Sequence, residues 1–279
     1  MIEHRIVFLS PAGTTAQTAN LIGEALSRRQ VPFQTISLNH QRRTLENGTI
    51  FNDWPQHCCL WIGTPVYCDH ALPIIDEFIA ALPQKTTGYS IPFATWGGVT
   101  SGTTLMELAE QLEKHHYPPI GAAKILAVHS CMWKCASPLA SGHPNRHEAD
   151  LIDALVRQVT IHLDQADVPR LPLTQLDYLS DALKQDAAQK SLAKAKAVSP
   201  PPQANPAACN VCGTCVGNCP MDAIILDPIP QISEDCIRCL MCVRSCPQHA
   251  FPFNQQAYED KIRAMRSCSD EPMCSEIFS

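Results

Sequence analysis

The stretches CNVCGTCVGNCP (residues 209–220) and CIRCLMCVRSCP (residues 236–247) decide how this chain is read. Both follow C-x2-C-x2-C-x3-C-P, with cysteines at Cys209, Cys212, Cys215 and Cys219 and again at Cys236, Cys239, Cys242 and Cys246. A cubane iron–sulfur cluster takes four thiolates, and a C-x2-C-x2-C loop can curl around one cluster to supply three of them. In a paired arrangement the fourth comes from the other run. One [4Fe–4S] cluster is then expected on Cys209, Cys212, Cys215 and Cys246, and a second on Cys236, Cys239, Cys242 and Cys219. Zinc sites and disulfides are the competing readings. Zinc favours two separated C-x2-C pairs, and a third cysteine at equal spacing argues against it.

Residues 205–254 around these runs resemble a bacterial-type two-cluster ferredoxin, with the apolar run Ala223-Ile224-Ile225-Leu226 after the first half and Ala250-Phe251 at the matching place in the second. The resemblance implies a small α+β domain. Such a domain buries little apolar surface, so its clusters serve as its core.

A length of 279 residues suggests about two domains. The 45% apolar content is ample for a globular core. The formal charge of −6 and the lack of a basic run argue against a nucleic-acid binder. No apolar run reaches the length of a membrane span, and Met1–Leu9 is too short and too acidic for a secretory signal. Fifteen cysteines without such a signal point to a reducing cytoplasm rather than a disulfide scaffold.

Upstream, short apolar runs alternate with longer helical patterns. Strands are expected at Arg5–Ser10, Phe33–Ser37, Cys58–Gly63, Pro92–Trp96 and Ala123–His129. Helices are expected at Thr15–Arg29, Leu72–Ala81, Thr103–His116 and Glu148–Leu163, and the polar stretch 38–55 reads as an irregular crossover. The alternation predicts a parallel sheet covered on both faces. Ligands of such sheets bind beyond the carboxyl ends of the strands.

Three loops lie there. Ser10-Pro11-Ala12-Gly13-Thr14-Thr15 opens onto a helix N-terminus, which suits a phosphate or an ordinary N-cap equally. Gly63-Thr64-Pro65-Val66-Tyr67 and Trp96-Gly97-Gly98 offer aromatics that could flank a flat ring or belong to the core or its rim. No G-x-G-x-x-G dinucleotide fingerprint is present.

This pattern resembles the flavodoxin-like family, and more closely the anaerobes' fusions of a flavodoxin-like domain with a two-cluster ferredoxin. The family's phosphate loop is matched at Ser10, Gly13 and Thr15. Its G-S/T-P-x-Y loop is matched at Gly63, Thr64, Pro65 and Tyr67, and its glycine pair at Gly97 and Gly98. The resemblance implies a five-stranded parallel sheet of order 2-1-3-4-5. It also implies flavin mononucleotide (FMN) held by Ser10, Gly13, Thr14, Thr15, Pro65, Val66, Tyr67, Trp96, Gly97 and Gly98. Ala12 stands where the family has threonine, and Pro11 lacks an N–H. Both weaken the phosphate cradle, so a domain that kept the fold and lost the flavin stays open as an alternative.

The expected organisation is a flavodoxin-like domain over 1–165, a linker over 166–204, the ferredoxin domain over 205–254 and a polar tail over 255–279. The linker holds a possible helix from Leu173 to Ala197, with Leu176, Leu179 and Leu183 at helical spacing, and then a proline run from Pro200 to Pro202. Cys131 and Cys135 read as reduced thiols beside the flavin site, a metal pair or a redox pair. Cys268 and Cys274 read as free thiols. The expected function is electron transfer between one-electron iron–sulfur carriers and a flavin, with a reduced ferredoxin or a reductase as donor and an unnamed acceptor. The alternatives are a flavin-dependent reductase, for which only Asp69, His70 and the Cys131/Cys135 pair offer acid–base material, or a redox-sensing interaction protein with an empty flavodoxin-like domain.

Overall fold

The computed structural model describes residues 2–83 and 86–279; Met1, Gln84 and Lys85 lie outside the described residues. The first part of the chain alternates β1 (Glu3–Phe8), α1 (Thr14–Arg28), β2 (Phe33–Ser37), α2 (Arg42–Glu46), β3 (His57–Pro65), α3 (Pro73–Ala80), β4 (Thr87–Trp96), α4 (Thr104–Lys114), β5 (Ala122–Leu126) and α5 (Arg146–Leu163). The strands pair in parallel in the order 2-1-3-4-5, as expected of a flavodoxin-like sheet.

The pleat sorts the strand residues between two faces. Ile6, Cys59 and Trp61 pack with Ala19 and Ile22 of α1 and Ile152 and Leu155 of α5. Val7, Leu60 and Ile62 pack with Ile75 and Phe78 of α3 and Leu108 and Leu112 of α4. Helix α5 begins on a capping box in which the Asn145 side chain and Glu148 satisfy each other's backbone donors.

The linker is not the single helix expected over Leu173–Ala197. A 3-10 turn at Leu173–Leu176 leads into α6 (Asp181–Gln189) and α7 (Leu192–Val198). The break is chemical. Ser180 and Ser191 each accept a hydrogen bond from a helix N–H, and Lys190 between the two helices is extended. A serine that caps a new helix competes with continuation of the old one. Leu176 packs against Leu105 and Ala109 of α4, so this linker lies on the sheet domain.

The cysteine-rich segment adds α8 (Thr214–Gly217), a β6/β7 hairpin (Ile224–Leu226, Pro230–Ile232) and α9 (Met241–Ser245). Its Ile224, Ile237 and Val243 belong to the same apolar cluster as Leu38, Leu45 and Phe78. The weakly patterned stretch 38–55 forms its seat. His40 N–H donates to Pro220 O at 2.9 Å, and Arg42 pairs with Asp235 at 3.2 Å.

The residues after 254 also depart from expectation. They form α10 (Gln255–Ser267) and β8 (Glu276–Phe278), and β8 adds an antiparallel edge strand beside β5. The sheet therefore has six strands rather than five. Between α10 and β8, the buried Glu271 carboxylate accepts from Ser101 N (2.7 Å), Ser101 Oγ (2.6 Å) and Lys124 Nζ (3.1 Å).

Candidate functional site

The two cysteine runs fold as copies of one another. Left-handed backbone occurs at Val211, Gly213 and Asp222 in the first and at Arg238, Leu240 and His249 in the second, an offset of 27 residues each time (238 − 211, 240 − 213, 249 − 222). The Ala223 N–H donates to Cys219 Sγ at 3.4 Å, and the Ala250 N–H donates to Cys246 Sγ at 3.3 Å, the same bond in each half. Left-handed turns point successive N–H groups inward, toward sulfur.

Each half lines one cavity, and the cysteines are exchanged between them. Cys209, Cys212, Cys215 and Cys246 line one. Cys219, Cys236, Cys239 and Cys242 line the other. These are the crossed quartets expected from the spacing. Among the described residues no three His, Cys, Asp or Glu side chains converge on a single-ion site. The thiols instead line the cavity walls, and a cubane has a separate iron for each of its thiolates. The donor set and its arrangement fit two [4Fe–4S] clusters. Burial pushes the Cys239 and Cys242 thiols up to about 12, with neighbouring thiols adding to the effect. Ligation at neutral pH must therefore displace protons.

A cleft of about 290 Å³ opens at the carboxyl ends of β1, β3, β4 and β5. Of the residues singled out from sequence, Thr14, Thr15, Pro65, Val66, Tyr67, Trp96 and Gly97 lie on its wall, as do Pro11 and Ala12. Ser10, Gly13 and Gly98 do not line it. The Ser10 hydroxyl turns back to accept from Ala16 N at 2.9 Å, and the Ser10 N–H donates to Asn39. Gly13 takes the left-handed conformation (φ 96°) that starts α1. A Cβ at Gly98 would meet Met273 Sδ at 2.8 Å, so its close approach is to the C-terminal residues.

The Thr15 hydroxyl is already paired with Thr95 Oγ1 at 2.7 Å in a buried contact. Helix α1 has no side-chain N-cap, and the Thr14 and Thr15 N–H groups find no acceptor among the described residues. Two free donors at a helix N-terminus suit an anion. At the other side of the cleft, the Trp96 indole N–H is buried without a partner. A buried orphan donor on a cleft wall is a place for a ligand acceptor.

Several wall residues carried no sequence signal. His129 and Ser130 come from the loop after β5, Leu192, Ala195 and Val198 from α7, Ile237 and Arg238 from the second cysteine run, and Tyr258 and Lys261 from α10. Burial lowers His129 to about 4, which keeps it neutral at physiological pH. Cys131 is on the wall, but Cys135 instead meets Gln255 Nε2 at 2.9 Å. Asp69 and His70 are absent from the wall. They bind Lys190 and Glu107 and fasten the linker.

Residues 208–251 match the 4Fe-4S dicluster domain family. No curated protein matches the chain. Among solved structures, a flavodoxin from the domain Archaea aligns over 59% of this chain and 100% of its own, at 16% identity and a TM-score of 0.42. The rubredoxin oxygen:oxidoreductase of Desulfovibrio gigas aligns over 58% of this chain and 36% of its own, at 14% identity and a TM-score of 0.42. At such identities and scores these likenesses add nothing to what the strand pairings show. Among the described residues no helix is long and apolar enough to cross a membrane.

Proposed function

We propose that this protein carries electrons between a flavin mononucleotide in the cleft and the two iron–sulfur clusters of residues 205–254, and through them to or from a redox partner protein. The observation that carries this reading is the double origin of the cleft wall. Thr14, Tyr67 and Trp96 come from the sheet domain, while Ile237 and Arg238 come from between two cysteines of the second run. A ring bound there lies against both parts of the chain.

When bound, the flavin takes two electrons that the clusters deliver singly. The Thr14 and Thr15 N–H groups hold its phosphate. Val66, Tyr67 and Trp96 enclose the ring, with the Trp96 indole N–H available to a ring acceptor. Leu192 of α7 borders the cleft, and Val198 at the end of the same helix stands at its open rim, 84% exposed. Arg238 is held over the cleft by its bond to Ser199 O at 2.8 Å. Ala12 supplies no hydroxyl and Pro11 no N–H, so the phosphate grip rests mainly on the helix N-terminus and on Thr14.

Anaerobically purified protein is expected to carry about eight iron and eight sulfide per chain, as two cubanes require, and to release flavin mononucleotide on heating. A reduced small ferredoxin should then reduce the flavin. The comparison protein is Cys239→Ala rather than a truncation at 205, because a truncation would also remove β8 and Glu271 from the sheet domain. If Cys239→Ala accepts electrons into its flavin as fast as the parent, the clusters are off the path. If purified apoprotein does not take up the flavin, the cleft serves another ligand.

A further inference from the structure

The two cluster cavities do not stand in the same relation to the cleft. The cavity of Cys219, Cys236, Cys239 and Cys242 shares a wall residue with it, because Ile237 lines both and is buried. The cavity of Cys209, Cys212, Cys215 and Cys246 shares none.

The docking contacts follow the same division. Pro220, Asp222, Glu234, Asp235 and Arg238, all near the inner cavity, bond to His40, Arg42, Lys196 and Ser199 outside the segment. Among the described residues, no hydrogen bond or ion pair from 209–217 leaves the cysteine segment. Around the outer cavity Cys212 is exposed, and so are the wall residues Val211 (47%) and Leu226 (39%). Val211 and Leu226 are two of the seven large apolar side chains that stand exposed among the described residues, and both lie on the wall of this one cavity.

We infer that the clusters have fixed and different roles. The inner cluster, on Cys219, Cys236, Cys239 and Cys242, exchanges electrons with the cleft across Ile237. The outer cluster, on Cys209, Cys212, Cys215 and Cys246, is the port to the partner. This assignment rests on the proposed flavin site. With both clusters and the flavin bound, two electrons drawn singly from a reduced iron–sulfur protein would enter on the side of Cys209, Cys212, Cys215 and Cys246 and reach the cleft on the side of Ile237, and two protons from water would complete the two-electron reduction. Ile237 is a positioning residue that sets the thickness of the wall.

Solvent access gives a test that does not depend on turnover. Anaerobic holoprotein is exposed to a limited ferricyanide pulse with an iron chelator, and iron release is followed by absorbance. Two phases of about four iron each are expected, one per cubane. Cys212→Ala should lack the fast phase and Cys239→Ala the slow one. Because ligand variants can fail to assemble, Ile237→Ala and Leu226→Gln keep all eight ligands. Ile237→Ala should speed only the slow phase several-fold, and added flavin mononucleotide should reverse that effect. Leu226→Gln should speed only the fast phase. If Ile237→Ala speeds the fast phase, or if Cys212→Ala retains the fast phase and loses the slow one, the order is wrong. If Ile237→Ala speeds the slow phase and flavin gives no protection, the order of the clusters stands and the flavin site falls.

Discussion

Strand β3 buries Leu60, Trp61 and Ile62 completely, with helices on both faces, whereas the strands of the cysteine segment have three residues each and leave Ile225 and Leu226 exposed. The sheet domain spends left-handed backbone sparingly at its loops. The cysteine segment places it at Val211, Asp222, Arg238, Leu240 and His249, all with side chains, within about forty residues. Non-glycine residues in that conformation cost on the order of 1–3 kcal/mol each and persist only where their surroundings enforce it. Within the cysteine segment the enforcing agents are the clusters. One part of the chain can thus keep its fold with its cofactor site empty, and the other cannot.

Removal of iron should therefore break the molecule unevenly. After anaerobic chelation, residues 205–254 should lose all slow hydrogen exchange, while amides of β1, β3 and β4 stay protected. Retained protection across 209–246 without iron would erase the contrast. A weaker form of the same test is pH. Because burial raises the Cys239 and Cys242 thiols to about 12, reconstitution with iron and sulfide should become more favourable as pH rises.

The second prediction concerns the residues that return to the sheet. Lys124 and Glu271 are buried, their side chains 3% and 2% exposed. Loss of one partner leaves a buried charge with less compensation, at a cost of about 3–5 kcal/mol. Glu276, which also reaches Lys124 at 3.1 Å, should hold the effect to the lower end. Glu271→Ala is expected to lower the urea midpoint of the sheet domain without changing iron content. A loss of iron in step with stability would mean that the two parts unfold as one.

The contrast also explains what could be read from the sequence. The two sets of four cysteines that share a cavity were legible because ligand spacing is imposed by chemistry and survives any packing. The five parallel strands were legible because most are apolar runs bounded by loop residues and the half-polar β2 (Phe33–Ser37) alternates with them. Strand β8 was not, since Glu276-Ile277-Phe278 is too short to show a period and pairs only because Glu271 and Ser275 anchor the approach, Ser275 Oγ donating to Glu148 at 2.8 Å. The presence of Leu192, Val198 and Ile237 on the cleft wall depends on how segments distant in sequence dock, and no local pattern encodes that. The loop hydroxyls were recognised as a group, but which ones face inward is set by partners elsewhere, Thr95 for Thr15 and Ala16 for Ser10.

That assignment separates two adjacent threonines. Thr15→Val breaks the buried pair and leaves the Thr95 hydroxyl unpaired, at about 1–3 kcal/mol of sheet-domain stability, with little change in flavin affinity. The Thr14 hydroxyl has no partner among the described residues and lies on the cleft wall. Thr14→Val should leave stability nearly unchanged and weaken flavin binding by about 1.5–3 kcal/mol, the range for a hydrogen bond to a charged group. Titration of each apoprotein with flavin, beside its thermal midpoint, tests the separation. Reversed effects would move the phosphate away from Thr14.

The smallest expected effect lies where the linker meets the sheet domain. His70 Nδ1 faces Glu107 Oε1 at 2.9 Å, and Nε2 faces the carbonyls of Ala187 at 3.0 Å and Lys190 at 3.2 Å. Both ring nitrogens meet acceptors, so the site favours the doubly protonated ring. Burial opposes that charge, but the Glu107 bond and the backbone carbonyls outweigh it and raise the pKa. Asp69, Asp76, Lys190 and Asp186 complete the charged surroundings. A raised histidine contributes stability that is fully present below its unfolded value of about 6.5 and is lost as pH climbs through the folded value. The end of α6 should therefore loosen between neutral and mildly alkaline pH. The side chain is 25% exposed, which keeps the contribution to about 1 kcal/mol or less, a shift of about 2–4 °C at most in a domain of this size. His70→Gln should flatten this part of the pH profile of the thermal midpoint and lower the midpoint mainly on its acidic side. An unchanged slope in His70→Gln would show that the linker is held by the Lys190–Asp69 pair and not by an imidazolium.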